Sequence, residues 1–217
     1  MSIQNVNRIS VLIIDDHPTL RAGIRAILEK APDIFVVDET DNGEDAETLV
    51  NRLRPRIILL DLKMPDFSPV EFEKWVREHY PETVTLVLTA HDRDAYLASM
   101  MDAGVAGYLN KEIKEEQLIN AIRCAASGEN LYDEQQKKRA YDWREEVQRK
   151  WDNLSEREKQ VLCLLADGAS NKDISSKLRI SPKTVDKHLE KIYQKLDVAS
   201  RAQAVLWGIE HMGDFPY

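Results

Sequence analysis

The feature that most constrains this chain is an alternation repeated five times in its first 128 residues, in which a short aliphatic run is followed by an amphipathic stretch. The runs fall at 11–14, 34–37, 57–60, 84–88 and 107–109. The stretches after them span 18–30, 41–53, 69–79, 95–103 and 114–126, and the first places Leu20, Ile24, Ile27 and Leu28 on one helical face. Strands that are nearly all aliphatic are buried on both sides, which requires a parallel sheet with helices on each face. The expected fold is therefore an α/β doubly wound, five-stranded parallel sheet. In such sheets functional groups gather beyond the carboxyl ends of the strands. That rule selects Asp15, Asp16, Asp61, Thr89 and Lys111, each at or just past the end of a run.

The pattern changes after residue 128. Residues 129–150 form a charged stretch without Gly or Pro after Gly128, with Trp143, Val147 and Trp151 at four-residue spacing and Ala140 about one turn earlier. This is the signature of a helical linker with one apolar side packed against a neighbouring domain. Residues 151–217 carry only helical signals. Ser155 and Glu158 form a capping-box pair, Gly168 closes the first helix, Ser170 opens a second, and Ser181-Pro182 opens a third that reaches Leu196. A fourth spans about 201–211. The expected organisation is an α/β domain at 1–128, a helical linker at 129–150 and a small all-α domain at 151–217.

Several classes are excluded. The chain has 217 residues, 43% of them hydrophobic, which is ample for two cores and rules out wholesale disorder. No aliphatic run approaches the ~20 residues of a membrane span. The N-terminal segment is polar with a single Arg8, unlike a secretory signal, so a cytoplasmic location is expected. Cys124 and Cys163 lack metal-ligand spacing and are expected to be buried structural thiols.

Three carboxylates gathered at strand ends repel one another unless a cation intervenes. A hard divalent ion such as Mg²⁺ suits oxygen ligands and commonly bridges carboxylates to phosphate. Lys111 adds a positive charge and Thr89 a hydroxyl donor, a set able to neutralise a phosphoryl group in flight. An Asp carboxylate can itself be the nucleophile.

Asp15-Asp16, Asp61 within Leu60-Asp-Leu-Lys-Met-Pro65, Thr89-Ala90 and Gly107-Tyr-Leu-Asn-Lys111 together resemble the receiver domain of two-component response regulators over about residues 8–128. The resemblance implies that Asp61 accepts a phosphoryl group from a partner histidine kinase. It also implies that Asp16, Asp61 and the backbone carbonyl of Lys63 hold Mg²⁺, with Asp15 acting mostly through water. Thr89 and Lys111 would contact the phosphoryl group, and Tyr108 would be an aromatic switch coupled to Thr89; read without the family, Tyr108 is more readily a half-buried core aromatic. The chain departs from the family pattern in two places. Pro69 stands near the position of a common glycine, which predicts altered loop geometry beside Asp61, and Glu112 replaces a common proline. Lys63 and His91, each two positions beyond a key residue, are expected to flank the site.

Net charge argues against a nucleic-acid partner until it is resolved by segment. The total is -8; residues 1–149 hold 19 basic and 28 acidic side chains (-9), residues 150–217 hold 11 and 10 (+1), and residues 171–195 hold seven and three (+4). In the third C-terminal helix Val185, Leu189, Ile192 and Leu196 form a buried stripe, while Lys183, Lys187, Lys191 and Lys195 recur every four residues on another side. Like charges at that spacing disfavour an isolated helix by about 0.2–0.5 kcal/mol per pair, so the stripe calls for an anionic partner. Asp186 and Glu190 answer it in part. The segments Leu154-Ser-Glu-Arg-Glu-Lys-Gln-Val-Leu162, Gly168-Ala-Ser-Asn-Lys-Asp-Ile174, Ile180-Ser-Pro-Lys-Thr-Val-Asp-Lys-His188 and Lys195-Leu-Asp-Val198 resemble the LuxR-type helix-turn-helix. With the receiver, they imply a NarL/FixJ-class transcriptional response regulator, not an enzyme, that binds double-stranded DNA as a homodimer when phosphorylated. Lys183, Thr184, Lys187, His188 and Lys191 are the expected DNA-facing residues. Two rivals remain: an aspartyl-phosphate phosphatase, which would want an acid at the place of Lys63, and a protein-interaction relay whose helical domain has lost DNA binding.

Overall fold

A computed structural model describes residues 8–90 and 92–211. His91 and residues 1–7, the larger part of the polar N-terminal segment, lie outside the described residues. The chain divides into two compact units, one ending at Tyr141 and the other beginning at Asp142.

In the first unit, strands β1 (Ile9–Ile14), β2 (Ile34–Thr40), β3 (Ile57–Leu60), β4 (Val84–Thr89) and β5 (Gly107–Asn110) form one parallel sheet in the order β2-β1-β3-β4-β5. Helices α1 (Pro18–Leu28), α2 (Gly43–Leu53), α3 (Pro69–His79), α4 (Asp94–Ala103) and α5 (Glu115–Ala126) connect them. Alternation along the strands sends Val11, Ile13, Ile57, Leu59, Leu86 and Leu88 into one core with Ile24, Leu28, Leu118 and Ile122 of α1 and α5. Leu12, Ile14, Ile58, Leu60 and Val87, the alternate residues, are buried as well. This is the doubly wound α/β fold expected from the sequence.

Two boundaries differ from the hydrophobic pattern. Strand β2 runs three residues further, because Asp38, Glu39 and Thr40 pair with Leu12, Ile13 and Ile14 although they are polar. Helix α2 starts at Gly43, since the Asn42 side chain accepts from the Glu44 N–H and caps it there.

The segment after α5 returns along β5, the sheet's edge. The Leu131 N–H donates to the Ala106 carbonyl at 2.7 Å, and a Cβ on Gly107 would lie 2.9 Å from Leu131 Cβ. Only glycine permits that approach. Helix α6 (Glu134–Asp152) follows, with Asp133 accepting from the Gln136 N–H at 2.7 Å. Its apolar side is shared: Ala140 is buried in the first unit, whereas Val147 and Trp151 belong to the core of the second.

The second unit is all-α, with α7 (Glu156–Ala166), α8 (Asn171–Leu178), α9 (Pro182–Leu196) and α10 (Arg201–His211). Ser155 with Glu158 and Ser170 with Asp173 close capping boxes, and Ser181 caps α9 ahead of Pro182. Val185, Leu189, Ile192 and Leu196 pack against Val161, Leu162, Leu165, Ile174 and Trp207. Both cysteines are free, and they are half-buried rather than buried as expected: Cys124 lies near the end of α5, and Cys163 packs at the margin of the helical core. Among the described residues no helix is long and apolar enough to cross a membrane.

Candidate functional site

Sheet register builds the first site. Ile14 of β1 pairs with Leu60 of β3, so Asp15 and Asp61 leave adjacent strands side by side. The Asp61 N–H donates to the Ile14 carbonyl at 2.8 Å, and the Asp15 N–H donates to the Thr40 carbonyl at 3.1 Å. Two strands away, Asn110 pairs with Thr89, and the Lys111 N–H donates to the Thr89 carbonyl at 3.0 Å. Lys111 Nζ then reaches 2.8 Å from both Asp15 Oδ2 and Asp61 Oδ2. These are enclosed contacts: the Asp61 side chain is 2% exposed and that of Lys111 12%. Burial works to lower the Lys111 pKa, but its bonds to Asp15 and Asp61 outweigh that and hold the ammonium above its ordinary range.

Asp16 lies at the rim. Its Oδ1 atom is buried and makes no hydrogen bond of good geometry, although the His17 Nδ1 atom stands 2.6 Å away. Ligand atoms of Asp15, Asp16, His17 and Asp61 all lie within 4.8 Å of one another. Asp16, His17 and Asp61 line a cleft of about 600 Å³ together with Lys111, Ala90 and Lys63, whose side chain is exposed. Sequence reasoning did not select His17; the signal available was its place between the acid pair and the proline that opens α1. Thr89 and Tyr108 are buried, on β4 and β5. Burial, reinforced by the nearby Asp92 carboxylate, pushes the Tyr108 phenol well up.

The loop beyond Asp61 has a definite conformation. Asp66 takes a left-handed backbone with φ 53°, and Pro69 opens α3 under a Ser68 cap. Phe67 lies against α2 so closely that a Cβ on Gly43 would meet its Cδ2 at 2.3 Å.

The second site is the outward side of α9. Lys183, Lys187 and Lys191 are exposed, while Thr184 and His188 are half-buried between them and the core. The Thr184 N–H donates to Ser181 Oγ at 3.1 Å, so this threonine also serves the cap. Lys195 departs from the stripe, since its Nζ lies 2.7 Å from the enclosed Glu158 Oε2. Burial alone would raise the Glu158 pKa; Lys195 and the Ser155 backbone and hydroxyl together hold it below the usual carboxylate range. Asp186 is likewise engaged, accepting from Asn171 Nδ2 at 2.8 Å, and Asn171 Oδ1 accepts from Arg201 at 2.8 Å. That acid therefore ties α8 to α9 instead of answering the lysines.

Two family models match the chain: the response regulator receiver domain over residues 11–123, and the bacterial regulatory proteins of the luxR family over residues 152–207. The transcriptional regulatory protein DegU of Brevibacillus brevis is 36% identical over 95% of each chain. The response regulator protein VraR of Staphylococcus aureus is 34% identical over 94% of this chain and 97% of its own. This chain is a two-component response regulator of the NarL/FixJ class. Among solved structures, RcsB of Salmonella enterica serovar Typhimurium, bound to a promoter in the presence of the phosphomimetic BeF₃⁻, aligns with a TM-score of 0.65 and 26% identity over 94% of the regulator and 99% of RcsB. The first unit of the regulator is thus a receiver and the second a LuxR-type DNA-binding domain.

Proposed function

We propose that this response regulator is a phosphorylation-controlled transcription factor whose phosphoacceptor is Asp61. The observation that carries the reading is the contact of Lys111 Nζ with both Asp15 and Asp61, at the carboxyl edge of the sheet. An Asp61 oxygen attacks the phosphorus of a kinase phosphohistidine, forming a P–O bond as the P–N bond breaks and the imidazole leaves. Lys111 and the Thr89 hydroxyl receive the phosphoryl oxygens, and their preformed positions stabilise the charge that spreads over them. The donor set suits a hard divalent cation, because three carboxylates converge and one Asp16 oxygen is buried without a hydrogen bond. Asp15, Asp16, Asp61 and the Lys63 carbonyl would hold Mg²⁺, which supplies charge neutralisation.

Tyr108 couples this chemistry to the linker in our reading. Gln136 Nε2 donates to the Tyr108 carbonyl at 2.8 Å, and Arg139 grips Asp92 and Asp94 in the turn after Thr89. A rearrangement around Thr89 and Tyr108 therefore acts on the start of α6, and phosphorylation shifts an equilibrium between restrained and released arrangements. We take residues 1–128 as the phosphoacceptor domain, 129–150 as the linker and 151–217 as the DNA-binding domain. Helix α9 enters the major groove with Lys183, Thr184, Lys187, His188 and Lys191 towards bases and phosphates. Leu206 and Ile209 on α10 are 53% and 65% exposed, which favours a homodimer on two half-sites. The regulator acts in the cytoplasm and turns over no substrate of its own.

The test is mass spectrometry after acetyl phosphate, paired with DNA binding before and after beryllofluoride. The wild type gains one phosphoryl mass and tighter DNA binding. Asp61→Asn gains neither; a phosphorylated Asp61→Asn protein would overturn the assignment.

A further inference from the structure

Glu190 is the one charged residue of α9 without a role in phosphate binding or in packing. With about 100° between successive residues, Lys187 and Gln194 stand opposite the centre of the stripe formed by Val185, Leu189, Ile192 and Leu196, and Glu190 lies only about 50° from that outward pole. Thr184 and His188 lie about 70° and about 110° from it and are half-buried, whereas Glu190 is exposed. Lys187 stands one turn earlier, yet among the described residues the Glu190 carboxylate takes no ion pair and no hydrogen bond. The helix's other acid, Asp186, is already committed to Asn171. A carboxylate ion accepts hydrogen bonds and donates none, and phosphates repel it. The lysines at 183, 187 and 191 nevertheless draw this side of the helix towards the DNA, so the acid must meet base edges. In the major groove the donors are the N6 amino group of adenine and the N4 amino group of cytosine. Adenine also presents the N7 acceptor beside N6, which opposes the second carboxylate oxygen; cytosine presents its donor alone.

We propose that Glu190 is a specificity-determining residue that accepts from the N4 amino group of one cytosine in each DNA half-site. The inference rests on α9 being the recognition helix and adds which residue selects a base and which base it selects. Discrimination comes as much from rejection as from attraction: any base without a donor at that place leaves a desolvated carboxylate unpaired. Glu190 is exposed and makes no contact that holds the helical domain together, so substitutions there test recognition and not folding.

The experiment selects duplexes from a random pool with the full chain in Mg²⁺ and beryllofluoride, then measures variants of the selected site by fluorescence anisotropy. In each half-site one cytosine should tolerate no other base without a loss of at least about fivefold, and its pyrimidin-2-one analogue, which lacks the N4 amino group, should cost the wild type as much. Glu190→Ala should bind all four bases at that position within about twofold, and the analogue should cost it nothing. Glu190→Gln, whose amide suits adenine N6 and N7, should move the preference to adenine while the other positions keep theirs. Unchanged discrimination at every position in Glu190→Ala, or an equal loss of affinity for every sequence, overturns the role of Glu190 while DNA recognition by α9 stands. A wild-type protein that binds no duplex, or binds duplexes without enriching any sequence, overturns the recognition-helix reading itself.

Discussion

Arg139, near the start of α6, lies 2.6 Å from a carboxylate oxygen of Asp94, the residue that opens α4. The same guanidinium meets both oxygens of Asp92, at 2.8 and 2.9 Å. A fork that binds two carboxylates flanking one turn is a geometric clamp, in a setting too exposed for a large energy. Arg139→Ala should therefore lower receiver stability by only ~1 kcal/mol, yet raise amide hydrogen exchange clearly across residues 134–141. Unchanged exchange there would mean that the helix start is held by Gln136 and Ala140 alone.

The helical domain offers a separation of roles along one stripe. Lys187→Ala should weaken duplex binding for any sequence and reduce the log–log salt slope by ~0.9, the value for one phosphate contact. Lys195→Met should leave that slope alone. Fluorescence anisotropy across a salt series reads both.

Lys195→Met should act on stability instead. It strands the enclosed Glu158 carboxylate, and about 2 kcal/mol is a reasonable loss for a pair that still touches solvent. The sign follows from the direction of the shift. Glu158 is held below its ordinary range in the folded state, so the pair stabilises above the unfolded carboxylate pKa and ceases to do so as pH falls through the lowered value. Urea unfolding should show a large difference between variant and wild type at pH 7 that closes in strong acid.

Glu73 carries the opposite sign. It is fully buried on α3 with Arg77 Nε 3.0 Å away but poorly aligned, and burial, partly countered by Thr85 and Arg77, raises its pKa to about 7. The protonated form is preferred on folding, so its contribution is complete below the ordinary carboxylate range and is lost as pH rises through 7. Glu73→Gln should gain on wild type by ~2 kcal/mol between pH 5 and pH 8. A constant difference across that range would show that Glu73 stays ionised throughout.

Gly43→Ala tests the loop beside Asp61. The added methyl would collide with Phe67, and displacing a packed aromatic disfavours the fold by about 1–3 kcal/mol. Phe67→Leu in the same chain should restore most of the loss in thermal unfolding.

Much of this was legible in the sequence because the signals are local. Aliphatic runs give strands wherever both faces are covered, and acids at their ends mark the carboxyl edge. The length of β2 was not legible, since Asp38 and Glu39 look like a turn and are strand only because β1 lies beside them. The apolar spacing of Ala140, Val147 and Trp151 reveals one sticky side but not that two cores share it. Lys195 and Asp186 read as members of a charge pattern. Their partners, Glu158 and Asn171, are 37 and 15 residues away and no periodicity points to them. His17 escaped because one histidine after two aspartates carries no spacing rule; three dimensions alone bring its ring back over them.

The divided apolar side of α6 sets a rule for recombination. A chimera cut at 128 would strip this receiver of Leu131, Tyr132 and Ala140 and bare the edge of β5, whereas one cut just after Trp151 would leave the helical unit without Val147 and Trp151. Grafts that exchange input or output modules should therefore join within α6 itself, between Ala140 and Trp143, where each half keeps its own plug.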